Sequence, residues 1–243
     1  MVKTCSLSNL LDEESIKEIS EAYTLVHNFY VCFYQRSQIY NEIHFHNKNY
    51  FKNKVENLEE LNCFNLSYNG LNKKSLKGMM NEEKNFGIYS SLVLQASIVG
   101  VLYPIIQILN NCKIFKFFRD TCFDGNENDF KKFDRLIRVI RNTFVHNISS
   151  DIKIRSKDYI AEKDTIFKES DNNQAEFKFT FDYSKHPFCK EMKTVDILIK
   201  RESIKDGANY TDIISREQNQ EILNLCYILM EEIWKIVSLN NRY

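Results

Sequence analysis

The chain has 243 residues but only two prolines and six glycines, and no other feature restricts its fold so strongly. Glycine and proline let a backbone reverse tightly or stop an element. With so few of them, a sandwich or barrel of many short strands is disfavoured and long uninterrupted helices are favoured. The apolar periodicity agrees. From Glu14 to about Asn47, Ile16, Ile19, Tyr23, Val26, Tyr30 and Phe33 recur at steps of three and four, with charge between them, and predict a long amphipathic helix. The Asn-, Lys- and Gly-rich stretch from Asn47 to Glu83 predicts a loop with room for one short helix. A mostly apolar run from about Asn85 to Phe118 predicts a buried helix bent near Pro104. After a turn at Asp124-Gly125-Asn126, a third helix is expected from Asp129 to about Ile148.

Beyond Ser150 the period changes. Ile152 and Ile154 alternate with charged residues, as do Phe177, Phe179, Phe181 and Tyr183 with Lys178, Thr180 and Asp182, and Val195, Ile197 and Ile199 repeat the pattern. Alternation with period two predicts a small antiparallel sheet with one buried face. The helical period returns from about Ser215 to Asn240 on Ile222, Leu225, Leu229, Ile233 and Ile236, with Ser215 and Gln218 spaced as a capping box. The expectation is a single, mainly α domain. Its helical core covers about 10–150 and 215–240, and a β-insert over about 151–214 forms an appendage before the last helix.

Charge is balanced, 33 basic against 33 acidic residues, so no bulk electrostatic grip on a nucleic-acid backbone is built in. Seven scattered cysteines with no C-x-x-C spacing fit reduced thiols in a cytosolic protein better than a disulfide framework or a zinc site. The segment Met1 to Glu14 lacks an apolar run and does not read as a signal peptide. Gly87 to Leu109 is long enough to span a bilayer. It is interrupted by Ser90, Ser91, Gln95, Ser97 and Gln107 and contains Pro104, so a buried central helix is the reading and no membrane partner is expected.

The chemistry lies in Lys131 to Asn147, KKFDRLIRVIRNTFVHN. Phe133, Ile137, Ile140 and Phe144 form a buried stripe. At about 100° per residue, Arg135, Arg138, Asn142 and His146 gather on the opposite, basic face. Arg141, five positions before His146, is turned about 140° from it. The two meet only if the arginine wraps the helix, the last turn unwinds, or a second subunit completes a cleft about a two-fold axis. Asp134 is placed to pair with Arg138 one turn on.

The string Arg141-Asn142-Thr143-Phe144-Val145-His146 resembles the R-x4-6-H motif of HEPN domains, in which a polar residue, commonly Asn, follows the arginine. Its place near the end of an internal helix, the helical bundle and the helix that follows also resemble that family, whose fold would be a bundle of four to five helices. The resemblance covers the helical core and not the β-insert. It implies metal-independent endoribonuclease activity in a homodimer, without a cofactor, on an RNA substrate, yielding a 2′,3′-cyclic phosphate and a 5′-hydroxyl. His146 would be the general acid–base, Arg141 would stabilise the phosphorane, and Asn142 would orient the histidine or hold a phosphate oxygen. On the basic face, Arg135 and Arg138 read as a solvated surface, with RNA-backbone contacts as the alternative. By family habit the chain would be a toxin or antiphage effector controlled by an antitoxin or regulatory protein. Where some HEPN toxins carry a modified Tyr two places after the histidine, this chain has Ile148, so a different control is implied. The alternative is a non-catalytic helical module that binds RNA or a protein. His27 reads as a satisfied, partly buried histidine, His44 and His46 as surface residues, and the Phe177–Tyr183 stripe as the buried face of the sheet rather than a base-stacking platform.

Overall fold

The computed structural model describes residues 11–45, 83–147, 152–163, 165–171, 173–183 and 194–240, and over 35–45, 83–93 and at 240 it describes the backbone. The predicted loop after Asn47, His46 and His186 lie outside these residues, and the His44 side chain outside those described.

Helix α1 (Glu13–Phe45) starts on Asp12, whose carboxylate accepts from the Ser15 N–H at 2.9 Å, as an N-cap should. Its stripe of Ile19, Ala22, Val26 and Phe33 is buried. Helix α2 (Glu83–Ile108) packs along α1. The Phe29 ring of α1 packs onto Gly100, where a Cβ would lie 2.2 Å from the Cγ of Phe29.

The apolar run differs from expectation in one respect. The helix passes through Pro104 and breaks instead at Leu109–Asn111, turning by 110° into α3 (Cys112–Cys122). The cause is a pair of asparagines. Asn111 is the N-cap of α3, its side chain accepting from Lys113 N–H at 3.0 Å, while its amide donates to Glu18 of α1 at 3.2 Å. No single helix among the described residues is long and apolar enough to cross a membrane.

Asp124 and Gly125 take positive φ values of 51° and 74° in the expected turn. Asn126 then caps α4 (Glu127–Val145) by accepting from Asn128 and Asp129 N–H groups. A one-turn helix α5 (Ser156–Tyr159) leads into β1 (Glu176–Phe181), which pairs antiparallel with β2 (Val195–Lys200) in the register Glu176↔Lys200 to Phe181↔Val195. Ile152–Ile154 adds no third strand; Lys153 forms an isolated bridge with Asn209. Helix α6 (Arg216–Asn240) opens with the expected capping box, Ser215 N–H to Gln218 Oε1 at 2.9 Å and Gln218 N–H to Ser215 Oγ at 3.2 Å.

The sheet is not an appendage. Phe177, Phe179 and Phe181 are buried in the same core as the helices. The Phe179 ring lies 6.1 Å from Phe133 of α4, and Phe181 meets Phe123 edge-on at 5.5 Å. Because α6 packs on α1, α2, α3 and β2, the last helix and the insert close one hydrophobic unit, and the aromatic stripe is unavailable for stacking bases.

Candidate active site

Helix α4 carries the motif because its apolar residues repeat with helical period. Phe133, Ile137, Ile140 and Phe144 are all buried, joined by Phe130, Leu136 and Val139. The residues between them therefore face outward or lie along the flanks. Arg135, Arg138 and Asn142 are half-buried and His146 is exposed, on the face away from the core as expected.

Arg138 is already committed. Its Nε donates to Asp134 Oδ1 at 2.8 Å and its Nη2 to Asn110 Oδ1 at 3.3 Å, so it fastens α4 to the α2–α3 break. Arg135 makes no ion pair with another described residue.

His146 closes the helix as its C-cap, with φ −86° and ψ −3°, and its N–H donates to the Asn142 carbonyl at 3.1 Å. Helical winding thus continues up to the histidine, and unwinding of the last turn does not bring it to Arg141. At 100° per residue the two side chains leave opposite flanks of α4, about 140° apart. Arg141 has a further distinction: its Nε is buried and has no hydrogen-bond partner among the described residues. A buried N–H without an acceptor is costly.

Behind the motif the helix end is held firmly. Thr143 Oγ1 donates to the Val139 carbonyl at 3.0 Å and lies 2.9 Å from the Tyr159 hydroxyl, whose ionisation burial pushes upward. Phe144 meets the Tyr210 ring edge-on at 5.0 Å, and the Tyr210 hydroxyl donates to Asn219 of α6 at 2.8 Å. The Asn147 side chain donates to the Thr143 carbonyl at 2.6 Å and accepts from the Lys153 N–H at 3.0 Å. Sequence reasoning missed Asn147, although an asparagine just past a helix end is a signal in itself.

Chemically, the end of α4 offers an exposed imidazole, an amide one turn back on the same stripe and a guanidinium with an unused donor. Among the described residues no group of His, Cys, Asp and Glu side chains is placed to hold a metal ion. The cysteines described, Cys32, Cys112, Cys122 and Cys226, are free thiols.

Two other polar features stand apart from the motif. Along the α1–α6 seam Tyr23 stacks on Trp234 at 5.5 Å, Tyr30 stacks on Tyr227 at 4.2 Å, and His27 Nδ1 lies 3.3 Å from the Tyr227 hydroxyl. His27 is thus the satisfied, partly buried histidine expected. Burial, reinforced by Glu231, pushes the Tyr227 phenol up to about 12. A shallow groove of about 560 Å³ beside Ile160, Glu176, Lys200 and Lys205 contains none of the motif residues. Comparison with protein-family models, curated proteins and solved structures finds no match to the chain.

Proposed function

We propose that the chain is a metal-independent endoribonuclease of HEPN type, working as a homodimer in the cytoplasm. The observation that carries this reading is that one helix end bears an exposed imidazole and, on its other flank, a guanidinium whose buried Nε has no acceptor among the described residues. A scissile phosphate fits that deficit, because guanidinium N–H groups fork onto phosphate oxygens. Arg141 stabilises the charge that grows on the phosphorane. His146 removes the proton of the 2′-hydroxyl or supplies one to the leaving 5′-oxygen, the general acid–base work to which an imidazole is suited. Asn142, four residues before His146 on the same stripe, orients the ring or holds a phosphate oxygen. Attack by the 2′-oxygen breaks the P–O5′ bond and leaves a 2′,3′-cyclic phosphate and a 5′-hydroxyl, so RNA is cut and DNA, lacking that hydroxyl, is spared. The biological role that goes with this chemistry is a toxin or antiphage effector restrained by an inhibitor protein.

The test is direct. Purified protein incubated with RNA in chelator should yield cyclic-phosphate ends, while His146→Ala should leave RNA intact and give the same circular dichroism and melting curve. A second reading is a non-catalytic module that binds RNA or a protein; the commitment of Arg138 to Asp134 and Asn110 and the zero net charge favour a protein partner in that case. RNA left intact by both proteins would select it.

A further inference from the structure

Asn147 follows His146 and belongs to neither the core stripe nor the basic face with which the motif was built. Its two hydrogen bonds run in opposite directions along the chain. The amide Nδ2 reaches back to the Thr143 carbonyl at 2.6 Å, and Oδ1 reaches forward to the Lys153 N–H at 3.0 Å. The first bond satisfies one of the carbonyls that a helix C-terminus leaves without a donor. The second attaches that terminus to a framed part of the insert. Lys153 bridges Asn209, Ile154 exchanges backbone bonds of 3.0 Å with Ala208 and Gly207, and Tyr210 N–H donates to the Ile152 carbonyl at 2.9 Å. His146 sits inside this loop of contacts, between a helix end that is closed from behind and a backbone held from ahead.

An exposed terminal residue of a helix ordinarily frays. A general acid–base that frays is in place for only part of the time, and misplacement by about 1 Å can cost about a hundred-fold in rate. We infer that Asn147 is a positioning residue for His146: its side chain clamps the end of α4 to the β-insert and so fixes the backbone that aims the imidazole. This rests on the nuclease reading above, and it gives the insert, which the motif leaves without a role, the task of holding the catalytic end of the helix.

The experiment compares single-turnover and steady-state RNA cleavage, in chelator, by the full chain and its variants. Asn147→Ala should lower kcat about ten- to a hundred-fold with KM unchanged within about two-fold, and should accelerate amide hydrogen exchange at residues 144–147. The Thr143–Tyr159 and Phe144–Tyr210 contacts remain in this variant and keep the helix docked. Asn147→Asp has the same shape and keeps the acceptor for Lys153 but loses the donor to Thr143. It should lose kcat in the same direction, and it carries the test if the alanine variant does not fold. Gly100→Ala, a destabilising change at the α1–α2 contact, should keep wild-type kcat and so separates positioning from loss of stability. An active wild type with kcat unchanged in both Asn147 variants, or with the loss confined to KM, overturns the positioning role alone. An inert wild type, indistinguishable from His146→Ala, overturns the nuclease reading and this inference together.

Discussion

At the scale of single residues, the nuclease reading makes Arg141 a residue that sets stability against activity. A buried, unpartnered donor costs about 1–3 kcal/mol, and a fold under selection for stability alone has no reason to keep one. Arg141→Met retains a long stem and removes the Nε that has no acceptor among the described residues. It is therefore expected to leave the melting temperature unchanged or raise it by a few degrees, while abolishing RNA cleavage. A clear fall in melting temperature would show that the guanidinium stabilises the free protein, and would remove the reason for assigning it an external anion. The sequence made some of these side chains legible and left others hidden. The Asp134–Arg138 pair and the Ser215–Gln218 box depend on spacing within one helix, so they could be read directly. The orphaned Nε and the two-way Asn147 clamp depend on what the rest of the fold does or does not bring within reach, and no local pattern encodes that.

Among the elements, boundaries proved harder to read than element types. Helix α4 and helix α6 lie where their stripes predict, because periodic burial over several turns outweighs any single residue. The apolar run predicted as one helix to Phe118 is two, and the break falls at Leu109–Asn111. Proline removes one donor from a helix interior, and a well-packed helix can absorb this; two consecutive asparagines, one of which caps the next helix, end it outright. The contact between α1 and α2 gives a test at this scale. Alanine normally stabilises a helix by up to about 1 kcal/mol over glycine. At Gly100, however, the added Cβ would fall 2.2 Å from the Cγ of Phe29, at the root of the ring, where no terminal rotation relieves it. Overpacking of this kind costs about 1–3 kcal/mol and outweighs the helical gain. Gly100→Ala should thus lower the melting temperature in a thermal scan, and a rise would mean that α1 and α2 have room between them.

For the whole molecule, the sheet expected as an appendage is a wall of the core. Alternation along β1 correctly marks one face as buried, but cannot say against what. The answer is the aromatic side of α4 and the α3–α4 turn. This matters for function because it leaves the motif end of α4 bounded by the insert on the inside and open on the outside. Within one chain Arg141 and His146 diverge by about 140° around a helix that stays wound through its cap. The nuclease reading therefore predicts a site assembled from two copies about a two-fold axis. Arg141→Ala and His146→Ala should each be inactive as pure proteins. Mixed under conditions that let subunits exchange, about half of the dimers should pair one variant with the other, and these can unite an intact guanidinium from one copy with an intact imidazole from its partner. Cleavage should then reappear in the mixture, rise with the time allowed for exchange, and disappear when the subunits are cross-linked within each pure protein before mixing. If activity does not return although mass spectrometry detects the mixed dimer, the arginine must reach the histidine within a single chain, wrapping the helix rather than crossing an interface.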